Sequence, residues 1–173
     1  ASGQIPLRAS SRASEATTAM PAAPQQPFTP PAALLAPVRL NMAVLRRSGM
    51  INPEIKTSVI SNEFRNVKRK ILLSARDKKS RELVNNLVMV TSTLPEEGKT
   101  FTSMNLALSL AAERDVQILL VDCDLHRPSV GKFFENAKVP GLAELLTTPT
   151  LRVDEVVRNC ESVPNLNVIF AGK

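Results

Sequence analysis

Apolar and polar positions fall into blocks along the chain, and the period changes from one block to the next. Ile60, Phe64, Val67 and Ile71 recur at spacings of four, three and four, the stripe of an amphipathic helix. Residues 87–90, LVMV, form a short apolar run that ends in the turn-forming segment TSTLPEEG and predicts a strand. From Thr100 to Ala112 no Gly or Pro interrupts the chain, so a helix is expected there. Residues 116–121 read as an apolar run of the kind found in a parallel strand covered on both faces, and residues 166–170 predict a third strand. Short helices are expected at 128–134, 142–146 and 151–157, with Pro140-Gly141 separating the first two. Residues 40–53, broken by Gly49 and Pro53, read as an irregular lead-in, and no internal repeat is visible. Strands alternating with helices imply an α/β fold with a mainly parallel sheet and right-handed crossovers.

Composition divides this picture into parts. The 173 residues suit one domain, and 43% hydrophobic residues suffice for a core. Residues 1–39 are rich in Ala, Pro, Ser, Thr and Gln and bury too little to offset their ordering entropy, so a disordered tail is expected. Residues 40–83 would hold the lead-in and the amphipathic helix, and 84–173 the main α/β unit. No apolar run approaches the roughly 20 residues of a membrane span, and no signal peptide is seen. Cys123 and Cys160 lack C-x-x-C spacing, and a single His leaves too few ligands for zinc, which fits a reduced, cytoplasmic setting. Cys123 is expected to be a small buried filler, and His126 a loop residue without a role.

The net charge of +6 raises the question of a nucleic-acid partner. With no Trp or Tyr and only 3% aromatics, platforms for stacking bases are scarce, which argues against one. The charge is concentrated in residues 65–81, RNVKRKILLSARDKKSR, which serve either as a solvated face or as a partner-binding surface.

Specific chemistry starts where the apolar run 87–90 gives way to Gly98-Lys99-Thr100 and a helix. A strand, a turn and a helix N-terminus in this order can wrap a phosphate in backbone N–H groups aided by the helix dipole. Gly98 lets the backbone approach, Lys99 supplies a point charge for β- and γ-phosphates, and the Thr100 hydroxyl suits the bridging Mg²⁺. The pattern G-x-x-x-x-G-K-[ST] is incomplete, because Thr93 holds its first Gly position. Candidate nucleotide contacts are Thr93, Glu97, Gly98, Lys99, Thr100 and Phe101. One strand later, Asp122 and Asp124 stand at the carboxyl end of 116–121, the edge where open α/β sheets bind ligands. Such a pair can hold a metal's water shell and orient or deprotonate a hydroxyl nucleophile, making Lys99, Asp122 and Asp124 the catalytic candidates and Thr100 and Asp122 the metal candidates.

The segments TSTLPEEGKTF, NLALSLA and ILLVDCDLHRPS together resemble the bacterial tyrosine kinases, most nearly the tyrosine autokinases of exosortase-associated exopolysaccharide systems. The resemblance runs from about Leu40 to the end of the chain. It implies a P-loop fold in which Lys99 and Thr100 belong to the Walker A motif and Asp122 and Asp124 to Walker A′. It also implies a Walker B strand and a tail of clustered tyrosines; the chain has neither and opens on Ala1, so a fragment truncated before the Walker B strand, inactive alone, is expected. In the family an E-x-x-R-x-x-R helix joins subunits, and here that pattern falls on Asn62, Arg65 and Lys68, implying a weakened homo-oligomer interface.

The expected function is therefore an ATP- and Mg²⁺-dependent protein-tyrosine autokinase that regulates exopolysaccharide assembly. The resemblance further implies a membrane chain-length-determinant protein as partner, at the inner face of the membrane. Two alternatives are kept: a partition- or division-site-type ATPase, disfavoured because Thr93, Leu94 and Pro95 stand where such enzymes carry an extra lysine, and a non-catalytic nucleotide-binding regulator.

Overall fold

A computed structural model of the chain describes residues 36–55, 58–76 and 86–173. The expected tail up to residue 35 and the end of the basic run, 77–81, lie outside the described residues. In order come β1 (Arg39–Leu40), α1 (Met42–Arg47), α2 (Val59–Arg76), α3 (Lys99–Ala111), β2 (Ile118–Val121), β3 (Phe134–Glu135), α4 (Leu142–Thr147), β4 (Arg158–Asn159) and β5 (Leu166–Ile169). Single 3₁₀ turns occupy Val130–Phe133 and Val153–Glu155. The architecture is α/β with mixed pairing: β5 lies between β2, which is parallel to it, and β4, which is antiparallel, while β1 and β3 form a separate antiparallel pair.

α3 is the central packing element because its small and branched apolar residues cover the sheet. Met104, Ala107, Leu108 and Ala111 join one buried cluster with Leu120, Leu166 and Val168. Side chains alternate along β5, so Ile169 belongs to a second cluster with Val156 and Val157. The end of α3 is tied down by Asn165, whose Nδ2 donates to the carbonyl of Ala111, one of the groups a helix C-terminus leaves open, and to that of Glu113 just beyond the C-cap.

The lead-in is more regular than its breakers imply. Asn41 caps α1, its Oδ1 accepting from Val44 N at 3.1 Å, and Leu45, Met50 and Ile51 are buried in the main cluster. The fully buried Asn105 fixes this segment to α3: its Oδ1 accepts from Ile51 N at 2.7 Å, and its Nδ2 donates to Phe101 O. Val38 and Arg39, inside the expected tail, join the fold: Val38 is buried and bridges to Cys160, and the Arg39 guanidinium grips Glu161 at 2.7 and 2.9 Å.

Three expectations are corrected. Residues 87–90 form no strand, and Leu87, Val88 and Met89 are exposed; among the described residues β2 is paired with β5 alone, and 87–90 does not pair with its other edge. Nor is β2 covered on both faces: Leu120 is buried but Leu119 is 40% exposed. The helix expected at 151–157 shrinks to one 3₁₀ turn, and a short hairpin that was not anticipated follows, β4 turning back into β5.

In α2 the buried face is rotated from the expected stripe. Ile60 and Phe64 pack on the main cluster and Ile71 is half-buried, whereas Val67 is 48% exposed. Lys68 and Leu72 take the inner side instead, one residue further round the helix, with the lysine stem serving as apolar cover. Among the described residues no helix is long and apolar enough to cross a membrane.

One close approach fixes the end of β5 against α4. Leu142 N and Ala143 N donate to Phe170 O and Ala171 O, both at 2.8 Å, and a Cβ on Gly141 would stand 2.2 Å from Phe170 O and 2.7 Å from Gly172 N. Both obstacles are backbone, so no rotamer relieves them. Gly141→Ala is expected to destabilise the full chain by about 3 kcal/mol, the upper end of overpacking costs, as a lowered urea midpoint. A midpoint within error of wild type would mean that this junction yields freely.

Candidate functional site

The loop before α3 is built from its own polar groups. Ser92 Oγ donates to Leu94 O, Leu94 N donates to Glu97 Oε2, and Lys99 Nζ donates to Ser92 Oγ at 3.0 Å. Gly98 adopts φ +91°, ψ +18° as the N-cap of α3, a left-handed conformation that costs a glycine little and aims the following amides outward. No side chain caps this helix end, so the N–H groups of its first turn face the concavity of the loop. Glu96 shares the left-handed region at φ +64°, a modest strain for a residue with a side chain.

The second half of the site hangs from the end of β2. Asp122 is buried, and three amides converge on its carboxylate: Asp124 N on Oδ1, and Ser129 N and Val130 N on Oδ2 at 3.2 and 3.1 Å. It thereby caps the 3₁₀ turn Val130–Phe133, folding the loop back over the strand end. Ser129 then links the two halves, because its Oγ is hydrogen-bonded to Thr100 Oγ1.

The predicted residues fall into three groups. Lys99, Thr100, Gly98 and Asp122 are brought together around this loop, with Thr100 and Asp122 joined through Ser129. Asp124 stays exposed with Oδ1 accepting from Arg127 N at 2.9 Å, and no hydrogen bond ties it to α3. Thr93, Glu97 and Phe101 line the loop and its exit; Glu97 is engaged with Leu94 N, and the Phe101 ring is 37% exposed. Cys123 is exposed, contrary to the buried filler expected; Cys160 is the buried thiol, and burial pushes its pKa up.

Asn62, Arg65 and Lys68 do not share one free surface. At about 100° per residue they step from the solvent side toward α3, where Lys68 Nζ meets Glu113 Oε1 at 2.7 Å. That hydrogen bond and charge hold the Glu113 carboxyl below its usual range. Arg65 remains exposed and, with Arg69 and Arg76, lines an open cationic groove beside the end of α3.

Ser92 and Ser129 are the residues that sequence reasoning missed. Ser92 has a usable signal, since it stands at the mouth of the loop seven residues before Lys99. The donor set suits a hard divalent cation: a hydroxyl and a carboxylate, with spare lone pairs on Asp122 once its amides are counted. Open N–H groups and Lys99 beside them form the complementary anion cradle.

The chain is similar to several proteins named as tyrosine-protein kinases. The chain is 42% identical over 89 residues to tyrosine-protein kinase ptk of Acinetobacter johnsonii, a match spanning 51% of this chain and 12% of that protein. It is 33% identical over 115 residues to tyrosine-protein kinase YwqD of Bacillus subtilis, spanning 66% of this chain and 45% of the relative. Tyrosine-protein kinase etk of Escherichia coli is 38% identical over 65 residues, 38% of this chain and 9% of that protein. The chain thus spans from about a tenth to less than half the length of these curated relatives. No protein-family profile and no solved structure matches it.

Proposed function

We propose that this homologue of the bacterial tyrosine-protein kinases is the ATP-binding part of a tyrosine autokinase, with a P-loop formed by residues 93–100 and Mg²⁺ as the cation. The observation that carries the reading is the junction of Gly98-Lys99-Thr100 with Asp122 through Ser129, which sets an anion cradle beside a hard-oxygen donor pair.

Each residue then has a task set by its position. The first-turn amides of α3 and Gly98 bind the β- and γ-phosphates, and Lys99 swings from Ser92 Oγ to a phosphate oxygen. Thr100 Oγ1 and the Asp122 carboxylate hold the cation, directly or through water, and the cation supplies charge neutralisation for in-line transfer. Asp124, exposed and lightly held, orients the incoming tyrosine hydroxyl and accepts its proton. Catalysis comes mainly from positioning and charge stabilisation.

The wider setting is part of the same proposal: a cytoplasmic kinase that regulates exopolysaccharide assembly, working with a membrane chain-length-determinant protein. The test is phosphoryl transfer by the complete protein that carries this chain, from γ-labelled ATP to a tyrosine-containing copolymer, supplied because the chain itself holds no tyrosine. Labelled phosphotyrosine supports the kinase. Phosphate release without labelling favours the partition-type ATPase, and binding without turnover favours a regulator.

We also propose that subunits associate through the outer side of α2. Lys68 is engaged with Glu113, which leaves Arg65 as the main cation for a neighbour's carboxylate. Arg65→Glu is expected to lower the self-association constant several-fold with nucleotide affinity unchanged. Light scattering checks this, and oligomers indifferent to the change would leave α2 as scaffold.

A further inference from the structure

We propose that Ser129 is a positioning residue that sets the Thr100 hydroxyl for cation binding and couples it to Asp122. The proposal rests on the reading of Thr100 as a cation ligand. A hydroxyl that lends a lone pair to a divalent cation becomes a stronger proton donor and needs an acceptor on its other side. Among the described residues the hydrogen-bonding partner of Thr100 Oγ1 is Ser129 Oγ. The usual outlet for such a hydroxyl is a carbonyl one turn earlier, as Ser103 Oγ uses Lys99 O at 2.6 Å. Thr100 stands second in α3 and has no preceding helical turn to supply one.

The other side of the link is as specific. Ser129 occupies the N-cap position of the turn Val130–Phe133, where a serine hydroxyl commonly accepts a backbone N–H. Here it makes no such bond: Asp122 Oδ2 holds the amides of Ser129 and Val130, and Lys132 N donates to Ser129 O. The serine hydroxyl reaches α3 instead. One residue thereby touches both cation-binding groups, Thr100 through its side chain and Asp122 through its amide.

The test is titration of the full chain with a fluorescent ATP analogue, with and without Mg²⁺, alongside an unfolding midpoint. Ser129→Ala is expected to keep metal-free affinity within about twofold while losing roughly tenfold of the Mg²⁺-dependent gain, the scale of one hydrogen bond to a charged centre. Ser129→Thr, which retains the oxygen, should restore that gain, a rescue that a purely structural role would not require. Should Ser129→Ala fail to fold, Ser129→Cys keeps the volume, offers only a weak acceptor and is expected to show the same loss. A wild-type Mg²⁺ response in the Ala or Cys variant overturns the proposal while leaving the nucleotide reading intact. A wild-type chain whose nucleotide binding ignores Mg²⁺ overturns the reading of Thr100, and this proposal with it.

Discussion

Lys99→Met in the full chain is expected to weaken binding of Mg²⁺-ATP by about tenfold to a hundredfold, the worth of one or two charge-assisted hydrogen bonds. The lysine stands at the first position of α3, beside the open amides of that turn, and its ammonium is parked on Ser92 Oγ at 3.0 Å. That bond is to a neutral hydroxyl in a partly exposed loop, so exchanging it for a phosphate oxygen gains energy. Methionine keeps the length of the stem and removes only the charge and its donors. The unfolding midpoint should therefore change little, which separates lost binding from lost folding. Titration with a fluorescent nucleotide measures the effect. Unchanged affinity would remove the phosphate reading of this loop and with it the kinase proposal.

The parts of this site that were legible in the sequence are local in the chain. Gly98, Lys99 and Thr100 are consecutive, α3 follows without a breaker from Lys99 to Ala111, and Asp122 comes directly after the apolar residues of β2. The parts that were not legible depend on long-range geometry. Ser129 is one serine among many until the fold turns its hydroxyl onto Thr100, 29 residues away, while Asp122 holds its amide. The inward turn of Lys68 involves Glu113, 45 residues later, whose carboxylate it meets while Val67 looks outward. β4 is too short for a period of two to register, and Arg158-Asn159 gives no apolar signal. Residues 87–90 show the converse: a strand-like composition that does not pair with an edge forms no strand, since propensity alone does not satisfy the backbone.

Asp122→Asn is expected to lower turnover and stability together, and turnover more than nucleotide affinity. In the native site Oδ1 accepts from Asp124 N, and Oδ2 accepts from Ser129 N and Val130 N. An amide has one oxygen, so its NH₂ group must face a backbone N–H on one side, leaving a donor opposed to a donor. The cost of that mismatch is about 1–3 kcal/mol and should appear as a lower urea midpoint. Losing the negative charge also removes half of the hard-oxygen pair proposed to hold the cation. Because that role acts on the transferring phosphoryl group, kcat should fall at least about tenfold further than affinity does. Asp124→Asn is the matched control, since its single bond to Arg127 N lies at the surface and the amide oxygen can keep it. That variant should unfold like wild type and yet transfer phosphate more slowly. An unchanged midpoint in Asp122→Asn would sink the anchoring role, and equal losses of affinity and turnover would sink the catalytic one. If both losses appear as stated, Asp122 both fixes the fold of the loop that carries Ser129 and supplies the charge that phosphoryl transfer uses.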